Sequence, residues 1–201
     1  EFAQAVMDAG LVWIGPSPQA IEQMGDKMSA RQIMKAAGVP VIPGVEIEEE
    51  DESLAMEAIR NAAEVTGYPL LLKATAGGGG KGMRVVHAAD GLENGAGSAR
   101  REALAAFGDG RVYVEKLLMK SKHVEVQVLA DTHGRCVHLG ERECSVQRRH
   151  QKVFEEAPCS IKTPSLRERM GQAAVAAAEA VDYVGAGTVE FLLAEDGSFY
   201  F

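Results

Sequence analysis

The chain has 201 residues with a formal net charge of −8, and 46% of the residues are hydrophobic while 25% are charged. This composition allows one large or two small globular units, so disorder is not the default expectation. The acidic balance argues against a nucleic-acid partner, because phosphate backbones are held by basic surfaces. No apolar run is long enough for a membrane span and no secretory signal pattern is present, so a membrane partner is not expected either.

Three cysteines, Cys136, Cys144 and Cys159, are an odd number at spacings that fit neither a disulfide framework nor a zinc pair. They are predicted to be reduced thiols, and without a neighbouring base pattern none is expected to be a nucleophile. We therefore expect a cytoplasmic protein, or a protein of the mitochondrial matrix if the source is a eukaryote.

The first 51 residues are predicted to contain two helical stretches and a linker. Residues 1–16 should form a helix and a short strand, Leu11–Ile14. Residues 18–37 repeat apolar side chains at helical spacing and are predicted to be helical. Residues 41–51 are predicted to be a linker that ends in an acidic run.

The next part of the chain alternates between helices and strands. The predicted elements are helix 53–65, strand 69–75, a glycine-rich loop, strand 83–87, helix 98–107 and strand 111–115. Residues 91–97 hold three glycines and are not expected to be helical, because glycine disfavours helix interiors.

From residue 123 onward, longer alternating strands are predicted. Val124, Val126 and Val128 should lie on one face of a strand, while the other face should line something polar. A strand at 136–140 should pair with it. Helix 165–181 should begin after a Thr-Pro cap and pack on the back of the sheet. Strand 188–194 should end in an Asp-Gly turn, and a return strand should begin at residue 198.

The glycine-rich loop is the segment that says most about function. Gly77–Gly80 and Gly82 leave backbone N–H groups free to approach an oxyanion, and Lys81 adds a cation. Because strands are predicted on both sides of the loop, it fits neither a dinucleotide fingerprint nor a P-loop. A flap over nucleotide phosphates is predicted, with Lys73 reaching them from the incoming strand. The alternative is a flexible hairpin tip.

Two further features could carry chemistry. Glu190 is a carboxylate inside an apolar strand, where a charge needs a cation or a metal ion, so it is a candidate Mg²⁺ ligand. The alternative is a structural salt bridge. Residues 141–152 concentrate hydrogen-bond donors and are either part of a nucleotide and oxyanion site or a solvated strand end.

Seven segments closely resemble the biotin carboxylase component of biotin-dependent carboxylases, which belong to the ATP-grasp superfamily. These segments are Met24–Lys27, Lys73 with Gly77–Met83, Val114–Lys116, His123–Gln127, Cys144–Lys152, Glu155–Pro158 and Gly185–Phe191. Among them, the string Ser145–Lys152 is much more specific than the glycine loop.

The resemblance implies an α+β ATP-grasp fold that is truncated at both ends, with mixed and antiparallel sheets and flanking helices. Residues 1–17 would be the tail of an N-terminal α/β domain and 18–44 a helical linker. Residues 45–117 would form the central lid domain, and 118–201 the first part of the C-terminal domain, cut before its catalytic return strand.

The resemblance also implies a reaction and a set of site residues. ATP and bicarbonate, with Mg²⁺ or Mn²⁺, would give carboxyphosphate, and the carboxyl group would pass to biotin on a carrier domain. Lys152 would stabilise bicarbonate or carboxyphosphate as a catalytic residue, and Glu190 would bind the metal ion. The nucleotide would be bound by Lys27, Lys73, Gly77, Gly78, Gly79, Gly80, Lys81, Gly82, Met83, Glu115, Lys116, Leu118, His123, Gln147, His150 and Leu192. Of these, Lys27 and Lys73 would hold the phosphates, Glu115, Lys116 and Leu118 would frame the adenine, and His123, Gln147 and His150 would lie near the ribose.

Further expectations concern the parent protein. It is expected to work with a biotin carrier domain and a carboxyltransferase component, and to be a homo-oligomer. The chain itself is expected to be a piece of a longer polypeptide with little carboxylase activity alone. The alternatives are another ATP-grasp ligase, such as an enzyme like carbamoyl-phosphate synthetase, and a non-catalytic nucleotide-binding fragment.

Overall fold

The computed structural model describes residues 1–25, 27–49, 51–75, 83–148, 151–161 and 163–201. The chain forms two compact units. We call Ile42–Met119 the inserted unit, and Glu1–Val41 with Lys120–Phe201 the discontinuous unit. The predicted glycine flap, Gly77–Gly82, lies outside the described residues.

The described residues contain six α-helices, one short 3-10 helix (Ala89–Gly91) and nine strands. The helices are α1 (Phe2–Asp8), α2 (Pro18–Gly25), α3 (Lys27–Ala36), α4 (Glu52–Thr66), α5 (Leu92–Phe107) and α6 (Pro164–Glu179). The strands are β1 (Gly44–Ile47), β2 (Leu70–Ala74), β3 (Arg84–Val86), β4 (Val112–Lys116), β5 (Lys122–Ala130), β6 (Cys136–Arg148), β7 (Gln151–Glu156), β8 (Gly185–Leu193) and β9 (Phe199–Tyr200). None of the helices in these ranges is long and apolar enough to cross a membrane.

The inserted unit is an antiparallel four-stranded sheet in the order β1-β4-β2-β3, and α4 and α5 contact it. Its core joins Ile59 of α4 to Leu70, Leu72, Val112 and Val114 of the two central strands, all of which are fully buried. Helix α4 begins after Asp51, whose Oδ1 accepts hydrogen bonds from two backbone N–H groups of the first turn.

Three sequence predictions differ from the structure here and at the N-terminus. Strand β1 lies inside the predicted linker 41–51 and pairs with β4. Its four residues carry no local pattern that predicts this pairing. Leu11–Ile14 is irregular rather than a strand, and its apolar side chains are largely exposed. Helix α5 starts at Leu92, so residues 92–97 are helical after all.

Helix α5 tolerates its glycines because one of them lets the helix approach the sheet. A Cβ placed on Gly95 would lie 2.9 Å from Cγ2 of Val86 and 3.6 Å from Cδ1 of Leu72. Leu92, Ala96 and Ala99 are buried on the same side and pack in the core. Tertiary packing therefore outweighs the low helix propensity of this stretch.

The discontinuous unit is built on a five-stranded antiparallel sheet in the order β7-β6-β5-β8-β9. Val124, Val126 and Val128 are buried against Met170 and Ala174 of α6, which confirms the predicted alternation and the packing of this helix on the sheet. Thr163 caps α6 and Pro164 is its first residue, also as predicted. We call the opposite face of the sheet, which carries His123, Glu125 and Gln127 on β5, the open face.

Candidate functional site

The open face of the five-stranded sheet carries a cluster of charged side chains from four strands. His123 and Glu125 point from β5, Arg142 from β6, Lys152 from β7 and Glu190 from β8. Glu125 is the register partner of both Arg142 and Glu190, because β5 lies between β6 and β8. Side chains opposite one another on one face of a sheet are in reach of direct contact, so the strand order itself brings these groups together.

Lys152 is held between two carboxylates. Its Nζ lies 2.5 Å from Oε2 of Glu125 and also donates to Oε1 of Glu190. Burial alone would lower the pKa of Lys152, but the hydrogen bonds to Glu125 and Glu190 raise it above its ordinary value. The site therefore presents a permanently charged ammonium group at neutral pH.

Glu125 is almost fully buried, with 4% of its surface exposed. Burial would raise the pKa of its carboxyl group, but the hydrogen bonds from Lys152 and Arg142 outweigh burial and hold this pKa below its usual value. Arg142 Nε donates to Oε1 of Glu125 at 2.7 Å. Glu125 is thus an ionised carboxylate enclosed by two cations.

Glu190 is the more accessible of the two carboxylates, with 51% of its side chain exposed. His123 lies beside it, with Nε2 at 3.3 Å from Oε2. The His123 imidazole and, next, the Lys152 ammonium lower the pKa of Glu190 to about 2, against the opposing effect of burial. An ionised, half-exposed carboxylate suits Mg²⁺, which takes one or two protein carboxylates together with phosphate oxygens.

Gln147 sets the tautomer of His123. Its Nε2 lies 2.9 Å from the carbonyl oxygen of Cys144, which can only accept, so this atom of the amide is the donor. The same nitrogen lies 2.7 Å from Nδ1 of His123. Nδ1 therefore accepts, and in the neutral ring the proton sits on Nε2, which faces Glu190.

A second group of potential metal ligands lies nearby but has unsuitable chemistry. Glu125, Cys144 and Glu155 have ligand atoms within 4.8 Å of one another. However, burial raises the pKa of the Cys144 thiol to about 11, and Glu125 already pairs with two cations. A protonated thiol and a carboxylate satisfied by Lys152 and Arg142 leave little for a metal ion.

Several predicted nucleotide-binding residues lie in the described part of the inserted unit. Lys73 of β2 pairs with Glu115 of β4, whose side chain is buried. Lys116 ends β4 and its backbone N–H donates to the carbonyl of Pro43 at 3.0 Å. Leu118 and Met83 are half-buried. The structure brings Lys73 and Glu115 together.

The remaining predicted residues fall into two groups. Leu192 of β8 is half-buried and is the register partner of His123. Lys27 begins α3, but its side chain lies outside the described part of the chain. Gly77, Gly78, Gly79, Gly80, Lys81, Gly82 and His150 also lie outside the described residues.

Glu125, Arg142 and Gln127 belong to the cluster on the open face but are not among the predicted site residues. Glu125 and Gln127 share a strand face with His123 at alternate positions, so the period of the strand was a sufficient signal. Arg142 stood within the donor-rich stretch 141–152, where composition alone could not separate it from a solvated charge.

Comparisons with known proteins show which family and fold the chain resembles. The family model described as carbamoyl-phosphate synthase L chain, ATP binding domain, matches residues 26–201. The chain is 54% identical over its whole length to the mitochondrial methylcrotonoyl-CoA carboxylase subunit alpha of Dictyostelium discoideum, of which it covers 28%. It is 50% identical to the biotin carboxylase of Nostoc sp., and it spans 44% of that protein.

A solved structure shares the fold. The biotin carboxylase domain of the Hydrogenobacter thermophilus 2-oxoglutarate carboxylase, solved with MgADP, ADP and bicarbonate, matches the whole chain with a TM-score of 0.82 and 44% identity, and the chain covers 43% of it. The predicted resemblance to biotin carboxylases and the predicted α+β ATP-grasp fold class are thereby confirmed. The chain spans less than half the length of these three proteins. With most of its residues matched by the family model, the chain belongs to the family of carbamoyl-phosphate synthase L chain ATP-binding domains.

Proposed function

We propose that the polypeptide carrying this chain is an ATP-dependent ligase that carboxylates biotin with bicarbonate. The observation that carries the proposal is the Lys152 ammonium group held between Glu125 and Glu190 on an open sheet face. Relatives named biotin carboxylase, and a solved relative bound to MgADP and bicarbonate, support the same chemistry.

The proposed reaction has two steps. A bicarbonate oxygen attacks the γ-phosphorus of ATP, and ADP leaves with the electrons of the broken P–O bond, which gives carboxyphosphate. N1 of biotin then bonds to the carboxyl carbon, the C–O bond to the phosphate breaks, and the released phosphate takes up the N1 proton. Lys152 binds the anion and offsets charge that develops on its oxygens, since its ammonium stays protonated at neutral pH.

Glu190 and His123 have supporting parts in this proposal. The Glu190 carboxylate fits Mg²⁺ because it is ionised at neutral pH and half-exposed. Bound Mg²⁺ would neutralise phosphate charge and act as a Lewis acid. His123 Nε2 lies 3.3 Å from Oε2 of Glu190 but makes no hydrogen bond to it, which leaves this ring nitrogen available to a bound nucleotide.

We also propose nucleotide-binding residues in each of the two units. In the inserted unit, we propose that Lys73 binds phosphate, with the flap Gly77–Gly82 and Met83, and that the adenine is framed by Glu115, Lys116 and Leu118. In the discontinuous unit, Lys27 is proposed for phosphate, and His123, Gln147, His150 and Leu192 for the rest of the nucleotide. In the described part of these units, the Lys73–Glu115 pair holds Lys73 in place.

Partners and location follow from the same proposal. The acceptor would be biotin on a carrier domain, and a carboxyltransferase component would use the product. The parent protein would be a homo-oligomer in the cytoplasm or, in a eukaryote, in the mitochondrial matrix. One of the relatives is named as mitochondrial.

The test is bicarbonate-dependent ATP hydrolysis by the full-length polypeptide, with free biotin as acceptor. Lys152→Gln should reduce kcat/KM for bicarbonate by about 100-fold or more, since a positioned charge on the reacting anion is lost. Lys122→Gln is the matched control, because Lys122 also pairs with a carboxylate, Glu143 at 2.8 Å, from the same sheet. Equal losses in both variants, or no bicarbonate dependence in the wild-type protein, would refute the proposal.

The two alternatives make different predictions. A ligase of the carbamoyl-phosphate type is favoured by the description of the family model, and it would depend on ammonia rather than on biotin. A non-catalytic nucleotide-binding protein would still bind MgATP in a calorimeter, but the full-length polypeptide would show no bicarbonate-dependent ATP hydrolysis.

A further inference from the structure

Glu125, which holds Lys152, is itself held by a further group of side chains centred on Arg142. Arg142 contacts Glu125 on one side and Gln127 on the other, with Nη1 at 3.1 Å from Oε1 of Gln127. Glu155 lies more loosely against the same guanidinium, at 3.8 Å from Nε. Glu125 connects this group to Lys152.

The orientation of the Gln127 amide is set by the backbone. Nε2 of Gln127 donates to the carbonyl oxygen of Gly187 in β8 at 2.7 Å, and a carbonyl oxygen can only accept. The other amide atom is therefore the oxygen, and this oxygen faces Arg142. The amide thus ties the guanidinium to a rigid strand on the far side of β5.

The two oxygens of the Glu125 carboxylate have different cationic partners. Nε, and also Nη2, contact Oε1, so this oxygen is fully engaged by the guanidinium. Oε2 accepts from Lys152, at 2.5 Å. Two nitrogens of the guanidinium converge on one oxygen, so Arg142 fixes the position of Oε1 and thereby restricts rotation of the Glu125 carboxylate.

We infer that Arg142, anchored by Gln127, is a positioning residue that aims the Lys152 ammonium group at the reacting anion through Glu125. The inference rests on the proposed function for the identity of the anion. Without Arg142, Oε1 of Glu125 would lose its guanidinium donors, and the carboxylate could rotate away from the orientation in which Oε2 holds Lys152. Lys152 would then leave its position even though its charge remained.

The same sheet offers a matched control. Arg167 of α6 donates from Nε to Oε1 of Glu141 at 2.8 Å, and Glu141 is as buried as Glu125. This pair lies on the face that packs against α6, away from Lys152. Disturbing either buried arginine–glutamate pair should therefore lower stability. Only a change at the Arg142–Glu125 pair should also affect Lys152.

The first test compares Arg142→Lys, Gln127→Met and Arg167→Lys in the full-length polypeptide. Lysine keeps the charge but cannot serve both Glu125 and Gln127. We expect Arg142→Lys and Gln127→Met to lower kcat/KM for bicarbonate by about 10- to 100-fold, as loss of an orienting partner does elsewhere, with KM for ATP unchanged. Arg167→Lys should leave kcat/KM for bicarbonate unchanged. Equal losses in all three variants would overturn the inference.

A double variant tests whether Arg142 acts through Lys152. In a Lys152→Gln background, Arg142→Lys should cause no further loss, because the group that it positions is gone. Losses that multiply would overturn the inference. Thermal unfolding of each variant shows whether it is folded. If Arg142→Lys does not fold, the kcat/KM of Gln127→Met decides whether the positioning role holds.

A second readout needs no activity. The rate of modification of Lys152 by an amine-specific reagent, followed by mass spectrometry on the 201-residue chain, should rise several-fold in Arg142→Lys and Gln127→Met but not in Arg167→Lys. Unchanged rates would refute the positioning role. If the wild-type polypeptide shows no bicarbonate-dependent hydrolysis, the proposed function fails, while this measurement still decides the role of Arg142.

Discussion

Two glycines of α5 offer a direct measurement of how closely this helix packs on the sheet of the inserted unit. Gly95 faces the sheet, where an added Cβ would lie 2.9 Å from Cγ2 of Val86. Gly97 lies two residues further on, and an added Cβ there would meet only the end of the Arg101 side chain, at 3.1 Å from Nη1. The long arginine side chain can move aside, whereas the buried valine of a β-strand cannot move easily.

The expected effects on stability follow from these contacts. Replacing a helical glycine by alanine contributes about 1 kcal/mol of helix propensity at either position. At Gly97 this gain should be realised, so Gly97→Ala should stabilise the chain by about 0.5–1 kcal/mol. At Gly95 it is opposed by overpacking of about 1–3 kcal/mol. Because the propensity term is common to both, Gly95→Ala should be less stable than Gly97→Ala by about 1–3 kcal/mol.

The assay is urea unfolding followed by far-UV circular dichroism, with the midpoints compared at a common slope. Hydrogen exchange of α5 amides assigns any change to the inserted unit, since the chain has two compact units that need not unfold together. If Gly95→Ala proved as stable as Gly97→Ala or more so, the close approach of α5 to Val86 would be refuted.

The remaining predictions concern thiol reactivity and pH. Burial raises the pKa of Cys144 to about 11 and that of Cys159 to about 12, so both thiols should react with a thiol reagent at pH 8 much more slowly in the native chain than in urea. Equal native and denatured rates would contradict this. The hydrogen bond from Lys122 lowers the pKa of Glu143 from 4.5, so its contribution to stability is present above about pH 4.5 and is lost as the pH falls through the folded-state value. Glu143→Gln should therefore flatten the stability profile at acid pH, and an unchanged profile would exclude this carboxylate as a source of the acid dependence.

Much of the discontinuous unit could be predicted because its signals are local. The alternation of Val124, Val126 and Val128 depends only on the period of a strand, and the Thr163-Pro164 cap depends only on the first turn of α6. Strand β1 could not be predicted in this way. It has four residues, and its pairing with β4 depends on a partner about 70 residues away along the chain, which no local pattern contains.

The candidate site shows the same division. Lys73, Lys152 and Glu190 stand out in the sequence as charges next to glycines, donors or apolar runs. The residues that hold them do not, because Arg142 reaches Glu125 only through the register between β6 and β5. The strand order β7-β6-β5-β8, which brings Lys152 across Glu125 to Glu190, is a property of the folded sheet and not of any one segment.

The charge balance of the open face indicates which carboxylate can yield to an anion at Lys152. Two of the three N–H donors of Lys152 already have carboxylate partners, so under the proposed function bicarbonate takes the third donor, and it gains a second one only if a carboxylate moves away. Glu125 cannot leave easily, because it is buried and its other oxygen is held by Arg142. Glu190 is half-exposed and keeps its charge down to a pKa of about 2, so it can exchange Lys152 for another cation without being protonated. A metal ion bound at Glu190 would thus free one side of Lys152 for the substrate, while the locked Glu125 keeps the ammonium group in position.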